Sequence, residues 1–392
     1  MNSPIPSQPG TTETESRWAI PPYLTSEPVL VAILSVLAVV LFLFVGGLSK
    51  MYHAQQNSLG DRWFTRGIAD LNAQNFDAAM LEFRTALRYS RDNYDYQLNL
   101  AKSLIGLRRT AEARSYLVNL WERRPENGEV NLALARIAAQ NNQSDQAQRY
   151  YHNAIYATWP ADEQTQRRET RVELIEYLLK NKANEQAQSE LIALAANLGD
   201  DPAQQERVGE LFLRAQDYEH ALAAFRLALK SGHGNESARA GAGRAAFQLG
   251  QYPIALKYLQ TAVAEKATDT QSAALLRTTE LVMQMDPFQR DISAAHRNRI
   301  VVTAFATAGE RLKACGMLPA SNPGAASSSN LASAWQEMKP RITERNLQRD
   351  PDLVESAMDL AFEVERDSAT GCGTPSAADQ ALLLISKSHE GH

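Results

Sequence analysis

From Val29 to Leu48 the chain runs for twenty residues without a charge, VLVAILSVLAVVLFLFVGGL, with Ser35 its only polar side chain. At 1.5 Å per residue a helix of that length spans about 30 Å, the hydrocarbon thickness of a bilayer. A helix packed in a soluble core keeps a polar stripe along five turns, and this one has none. The pattern therefore predicts a transmembrane helix over 29–49. A cleaved signal peptide fits less well, because the run is long, starts late, and follows Glu13, Glu15 and Glu27 against Arg17. No cysteine follows closely enough to carry a lipid. Residues 1–28, rich in Pro, Ser and Thr, read as a disordered tail.

Beyond residue 60 the apolar positions recur with helical period, and the pattern itself repeats. Each segment has a small residue, an alanine twelve positions later, a bulky residue four further on, and a small or aliphatic one three after that. The alanines are Ala79, Ala113, Ala147, Ala187, Ala221 and Ala255, spaced by 34, 34, 40, 34 and 34 residues. The early positions are Gly67, Ala101, Ala135, Gly209 and Gly243, with Ile175 the exception in the fourth unit. The bulky ones are Phe83, Leu117, Tyr151, Leu191, Phe225 and Leu259, and the last set is Ala86, Leu120, Ala154, Leu194, Ala228 and Ala262. A fixed period of this length marks stacked supersecondary units, each burying its apolar face against its neighbours. The six extra residues of the fourth unit predict a longer first helix or a break in stacking there.

This order of small and large positions resembles the tetratricopeptide repeat (TPR), a 34-residue helix–turn–helix; the unit Tyr94–Asn127 carries it most fully, with Pro125 near its end. The resemblance covers roughly residues 60–270. It implies an all-α protein: an N-terminal transmembrane helix, a TPR α-solenoid over 60–288 wound as a right-handed superhelix, and a helical C-terminal region over 289–392. Arg66 and Asp70 stand where the family has apolar side chains, so the first helix of unit one is expected to be poorly buried on one side.

After the repeats, residues 271–285 read as one more first helix, stopped by Asp286-Pro287. An amphipathic helix is expected at about Gln289–Ala314, with Ile300, Val301, Ala304, Phe305, Ala308 and Leu312 on one face, capping the solenoid. A flexible linker, LPASNPGAASSSN, occupies 318–330. Helices follow at about 331–347, 351–367 and 376–388.

Composition adds exclusions. The net charge is −5 with no basic stripe, which argues against nucleic acid as a partner. Fifty-nine alanines support the helical reading. Two cysteines allow neither a disulfide-rich scaffold nor a four-Cys metal site. Cys315, in ACG, and Cys372, in GCG, both sit at helix-end loops beside glycine. They are either a disulfide, which implies an oxidising compartment such as a periplasm, or two separate free thiols. Lys50, Arg62 and Arg66 follow the apolar run and only Arg17 precedes it, which favours a cytoplasmic C-terminal side. Long domains translocate largely regardless of charge, so the cysteines tilt the expectation toward an extracytoplasmic domain.

The chain has no HExxH, P-loop, CxxC, GxSxG or GxGxxG motif, and its seven histidines have no metal-ligand spacing. The segment KSGHGN at Lys230–Asn235 reads as an inter-repeat turn, and a His296/Cys315 nucleophile pair is the weaker reading of those residues. The expectation is a protein that is not an enzyme, with no cofactor, no metal and no evident small-molecule substrate. In TPR proteins the first helix of each unit lines the concave face. Carried over by position, the resemblance implies a peptide-binding groove from Phe64, Asn72, Leu98, Lys102, Arg136, Gln140, Lys180, Arg214 and Arg244. Lys102, Arg136 and Gln140 are expected to lie together, where a carboxylate ligand could dock, unless they form a solvated rim. The Lys/Asn pattern by which some family members clamp chaperone C-termini is not reproduced. The function expected is a membrane-tethered scaffold for protein–protein interaction in an envelope assembly or secretion complex. The alternative is an accessory subunit of a membrane enzyme acting through its C-terminal helices.

Overall fold

The computed structural model describes residues 27–230, 236–318 and 330–390. Most of the expected tail, the Lys230–Asn235 turn after its first residue and nearly all of the linker lie outside the described residues. The described residues are helical throughout, apart from connecting turns and one isolated bridge between Asn127 and Thr158. They fall into two compact units, Met1–Glu163 and Gln164–His392. The division comes at the insertion before the fourth repeat.

In the first unit, α1 (Glu27–Asn72) is a single 46-residue helix. The helix does not end with the apolar segment; it continues without a break into the first helix of repeat one. The intervening stretch contains no proline, and its one glycine, Gly60, lies under Tyr96, where a Cβ would come within 3.0 Å of the phenol oxygen. Tyr96 then donates to Asp61 Oδ1 at 2.7 Å, tying this helix to the second repeat. The large apolar side chains between Val31 and Leu48 are 47–79% exposed. Helices α2 (Phe76–Tyr89), α3 (Tyr94–Gly106), α4 (Thr110–Arg123), α5 (Gly128–Gln140) and α6 (Ser144–Ile155) complete three antiparallel pairs. Arg66 is exposed and Asp70 half-buried, so this side of the first repeat helix is incompletely covered.

The repeat register is a packing register. All six in-phase alanines are fully buried, and so are the bulky residues four positions on. Each early glycine faces the bulky residue sixteen positions later: a Cβ on Gly67 would come within 2.6 Å of Phe83, on Gly209 within 2.9 Å of Phe225, and on Gly243 within 2.7 Å of Leu259. The small side lets the two helices approach, and the large side fills the space. Ala113 and Ala111 both lie on α4, the first buried and the second exposed. Ala113→Leu is therefore expected to destabilise by about 1–3 kcal/mol through overpacking, and Ala111→Leu by less than about 0.5 kcal/mol. Equal shifts in thermal midpoint would refute the register.

A second periodicity appears only in the backbone. Gln74, Arg108, Asn142, Lys182, Gln216 and Gly250 all have positive φ, between 56° and 69°, and each lies two residues before a second helix. The next N–H donates back to the carbonyl five residues earlier in every case, from Asn75 to Asp70 at 2.8 Å through Gln251 to Ala246 at 2.9 Å. This is the Schellman closure of a first helix, whose left-handed residue is ordinarily glycine. Here only the sixth repeat has glycine. Lys182→Gly is expected to stabilise by about 1 kcal/mol by relieving the left-handed strain, and no gain in thermal midpoint would contradict this. First helices begin on a side-chain cap at the matching boundary, from Asn93, Asn127, Asp201 and Asp269.

The insertion accounts for the long fourth unit. Within the first unit, residues 156–162 turn back so that Thr158 exchanges backbone bonds with Glu126 and Gly128, and Trp159 covers Gly128. Helix α7 (Glu163–Lys180) has 18 residues where the other first helices of complete repeats after α1 have 13.

In the second unit, α8 (Asn184–Ala195), α9 (Pro202–Arg214), α10 (Tyr218–Lys230), α11 (Glu236–Gln248) and α12 (Tyr252–Glu265) share one core running from Val172 to Leu259. Helix α13 (Thr270–Met285) stops at Asp286-Pro287 as expected, and Gln289 closes the turn by donating to the carbonyl of Asp286 at 2.7 Å. That turn delays α14 to Ala294–Ala314, where Ser293 caps it, rather than starting at Gln289. The expected helix over 331–347 is broken. Pro340, which lacks an N–H, ends α15 (Asn330–Met338) in a short 3-10 turn, and Thr343 caps a new helix, α16 (Glu344–Arg349). Helices α17 (Asp352–Gly371) and α18 (Ala377–Glu390) complete the chain. Helix α13 packs on one side against α12, and of the helices that follow it α18 covers it more extensively than α14.

Candidate functional site

The first-helix face of the repeats is assembled separately in the two units. In the first, Phe64 stacks on Tyr96 at 5.0 Å and tilts against Phe83 at 5.7 Å, so its ring is partly committed to packing between repeats. Leu98 is only 5% exposed. It belongs to the buried core and does not stand open in a groove. Asn72, Arg136 and Gln140 are exposed. Lys102 donates from its Nζ to Glu129 Oε2 at 2.7 Å, so its charge is matched within the protein. Glu129 is the second residue of the next first helix, 27 positions on, and is not among the groove positions that the resemblance implies.

The same happens in the second unit. Arg214 grips Glu176 with both guanidinium arms, at 2.8 and 2.6 Å, and Arg244 holds Glu210 at 3.3 and 2.9 Å. Arg207 reaches Glu169 at 3.2 Å. The bond from Arg214 holds the Glu176 carboxyl below the usual range, and Glu176 in turn raises the Arg214 guanidinium. These are half-exposed pairs that set a charge pattern more than they stabilise. The sequence signal that finds them is opposite charge at 34 or 38 residues, one repeat or one repeat plus a turn. Lys180 is exposed beside this ladder. In each unit the face thus offers self-paired charge, with Arg136 and Gln140 exposed in the first and Lys180 exposed in the second.

A second polar constellation lies in the C-terminal helices. Cys315 and Cys372 are bonded, with their Cα atoms 5.3 Å apart. Arg311, one turn before Cys315, is buried. Its Nη2 donates to the backbone oxygens of Ser368 at 2.9 Å, Cys372 at 2.6 Å and Gly373 at 3.2 Å, and its Nε donates to Ser368 Oγ at 3.1 Å. The guanidinium therefore satisfies the carbonyls at the C-terminus of α17, where the helix dipole favours a cation. His296 lies at the opposite end of α14 from Cys315, so the two do not form a pair. Among the described residues no group of three or more metal-ligating side chains comes together.

Tetratricopeptide-repeat models match residues 64–129 and 104–158. No curated protein matches the chain. Among solved structures, PilF of Pseudomonas aeruginosa is 15% identical, with 57% of this chain and 99% of that one covered and a TM-score of 0.39. PilW, a type IV pilus biogenesis factor, is 14% identical over 56% and 99%, with a TM-score of 0.39. The TPR2AB domain of yeast Sti1, solved with an Hsp90 peptide, is 16% identical over 57% and 99%, with a TM-score of 0.24. With repeat models matching 64–158, and one packing register recurring from Gly67 to Ala262, the chain carries tetratricopeptide repeats.

Proposed function

We propose that this TPR protein is a membrane-tethered scaffold that holds a protein partner on the first-helix face of its repeats. The observation that carries the reading is α1: an uncharged, solvent-exposed apolar segment runs directly into the first repeat helix, so tether and binding domain share one rod. Burying some twenty apolar side chains in lipid is strongly favourable, whereas leaving them in water is not. The partner face is matched in charge, so it selects a partner that complements alternating signs and not a bare carboxylate. Full-length protein is expected to stay with membranes through alkaline carbonate extraction; release into the soluble fraction defeats the tether. Reversing exposed charge on the face, with Arg136→Glu and Lys180→Glu together, is expected to abolish partner capture by cross-linking while leaving the helical signal intact. Unchanged capture defeats the assignment of the face.

The bonded pair Cys315–Cys372 supports an extracytoplasmic position for the domain, where thiols oxidise. An impermeant thiol reagent is expected to label intact cells only after reductant. No labelling even after reductant argues for a cytoplasmic domain, and labelling without reductant shows that the two thiols are not bonded. The accessory-subunit reading draws on one feature, the line of exposed acidic side chains Glu355, Asp359 and Glu363 on α17. Neutralising the three with loss of partner capture, where the face variants have no effect, selects that reading.

A further inference from the structure

Between α14, α17 and α18 lies a polar cluster that partner binding does not use. Glu365 is 1% exposed, Asp379 and Arg311 each 5%, and Ser368 0%. They sit within the apolar cluster that includes Leu312, Val364 and Leu382. The donors of Arg311 go to Ser368 and to three backbone carbonyls, and Nη1 stands 4.0 Å from Asp379 Oδ2. Asp379 also accepts from the Ser376 backbone N–H at 2.7 Å. Glu365 receives nothing: both its carboxyl oxygens are enclosed, and no donor reaches either.

Two carboxyl groups share this site with one guanidinium. The cluster is neutral only if one carboxyl keeps a proton, and burial makes a net charge here expensive. Asp379 is the group supplied with donors, so the proton belongs to Glu365, which can then donate to Asp379. The charged groups facing Glu365 are Asp379 from α18 and Arg311 from α14. Burial first, then the Asp379 charge, push the Glu365 carboxyl up to about 8 against the opposing pull of Arg311.

We propose that the proton shared by Glu365 and Asp379 is a latch that docks α18 on the end of the repeat array. Of the helices that follow α13, α18 packs against it most extensively. It is also held by Tyr252, which donates to the Leu384 carbonyl at 3.5 Å, and by Arg366, which donates to Ser386 Oγ at 3.1 Å. Loss of the proton sets two buried carboxylates against each other across the α17–α18 contact. An undocked Glu365, in water, titrates near the ordinary glutamate value of about 4.3. Docking therefore takes up a proton. The latch is at full strength below that value, weakens as pH rises toward about 8, and levels off above it.

The test is hydrogen exchange of the full chain in detergent micelles from pH 5 to 9, corrected for intrinsic exchange and read on the amides of α18. In the native protein the protection of α18 is expected to fall by up to about tenfold per pH unit between pH 5 and 8, the limit for one proton. Glu365→Gln, the neutral isostere, is expected to flatten that slope and to leave α18 at least about tenfold better protected than the native chain at pH 8. Asp379→Asn removes the like charge and is expected to move the slope toward lower pH. Equal slopes in native and Glu365→Gln proteins overturn the proposal. So does a Glu365→Gln chain that is less protected or fails to fold, or an Asp379→Asn chain with the native profile.

Discussion

Replacing Cys315 and Cys372 together by alanine is expected to lower the stability of the C-terminal helices by about 4 kcal/mol. The bond closes a loop of 57 residues, and the chain-entropy relation for a loop of that size gives this figure. The thermal midpoint of the second unit is expected to fall by roughly 10 °C, and reductant alone is expected to do the same to the native chain. The loss should concentrate in α14, α17 and α18, because the bond joins the end of α14 to the residue after α17. A midpoint unchanged by both treatments shows that the bond does not restrict the unfolded chain.

Arg311→Met is expected to destabilise by a similar amount, about 3–5 kcal/mol, although it removes no covalent link. Methionine matches the stem of arginine but leaves the carbonyls of Ser368, Cys372 and Gly373 without this donor and Asp379 without its neighbouring cation. Arg311→Lys is expected to recover only part of the loss, since one ammonium cannot reproduce the guanidinium fork. Because Arg311 binds the carbonyl of Cys372 itself, the arginine and cysteine variants share a partner. Their combination is expected to cost less than the sum of the two, by about 0.5–3 kcal/mol in a double-mutant cycle. Strict additivity means that the guanidinium and the bond act on independent parts of the unit.

The repeats were legible because their contacts are local and periodic. Gly67 against Phe83 spans sixteen residues, and the same pair recurs at 209/225 and 243/259, so a spacing search finds it without coordinates. The Schellman turns recur just as regularly, but five of the six left-handed residues are Gln, Arg, Asn or Lys, and side-chain type does not reveal them. Trp159 over Gly128 was missed because it lies in an insertion that belongs to no repeat position. On the candidate face, residue positions were readable but their partners were not: Lys102 with Glu129, and Arg214 with Glu176, depend on how neighbouring first helices are offset. Leu98 illustrates the converse, a groove position by count that the packing turns inward.

By itself the sequence determined the helical content, the repeat frame and the apolar segment, because each follows from a short-range period of side-chain size or polarity. It also placed two cysteines at helix ends without deciding whether they meet. The tertiary structure decided the long-range matters: a bond across 57 residues, Tyr252 under Leu384 across 132, and three ionisable groups from three helices in one buried cluster. Such contacts have no period to betray them. They arise where an apolar core closes and every polar group trapped inside must find a partner or keep its proton.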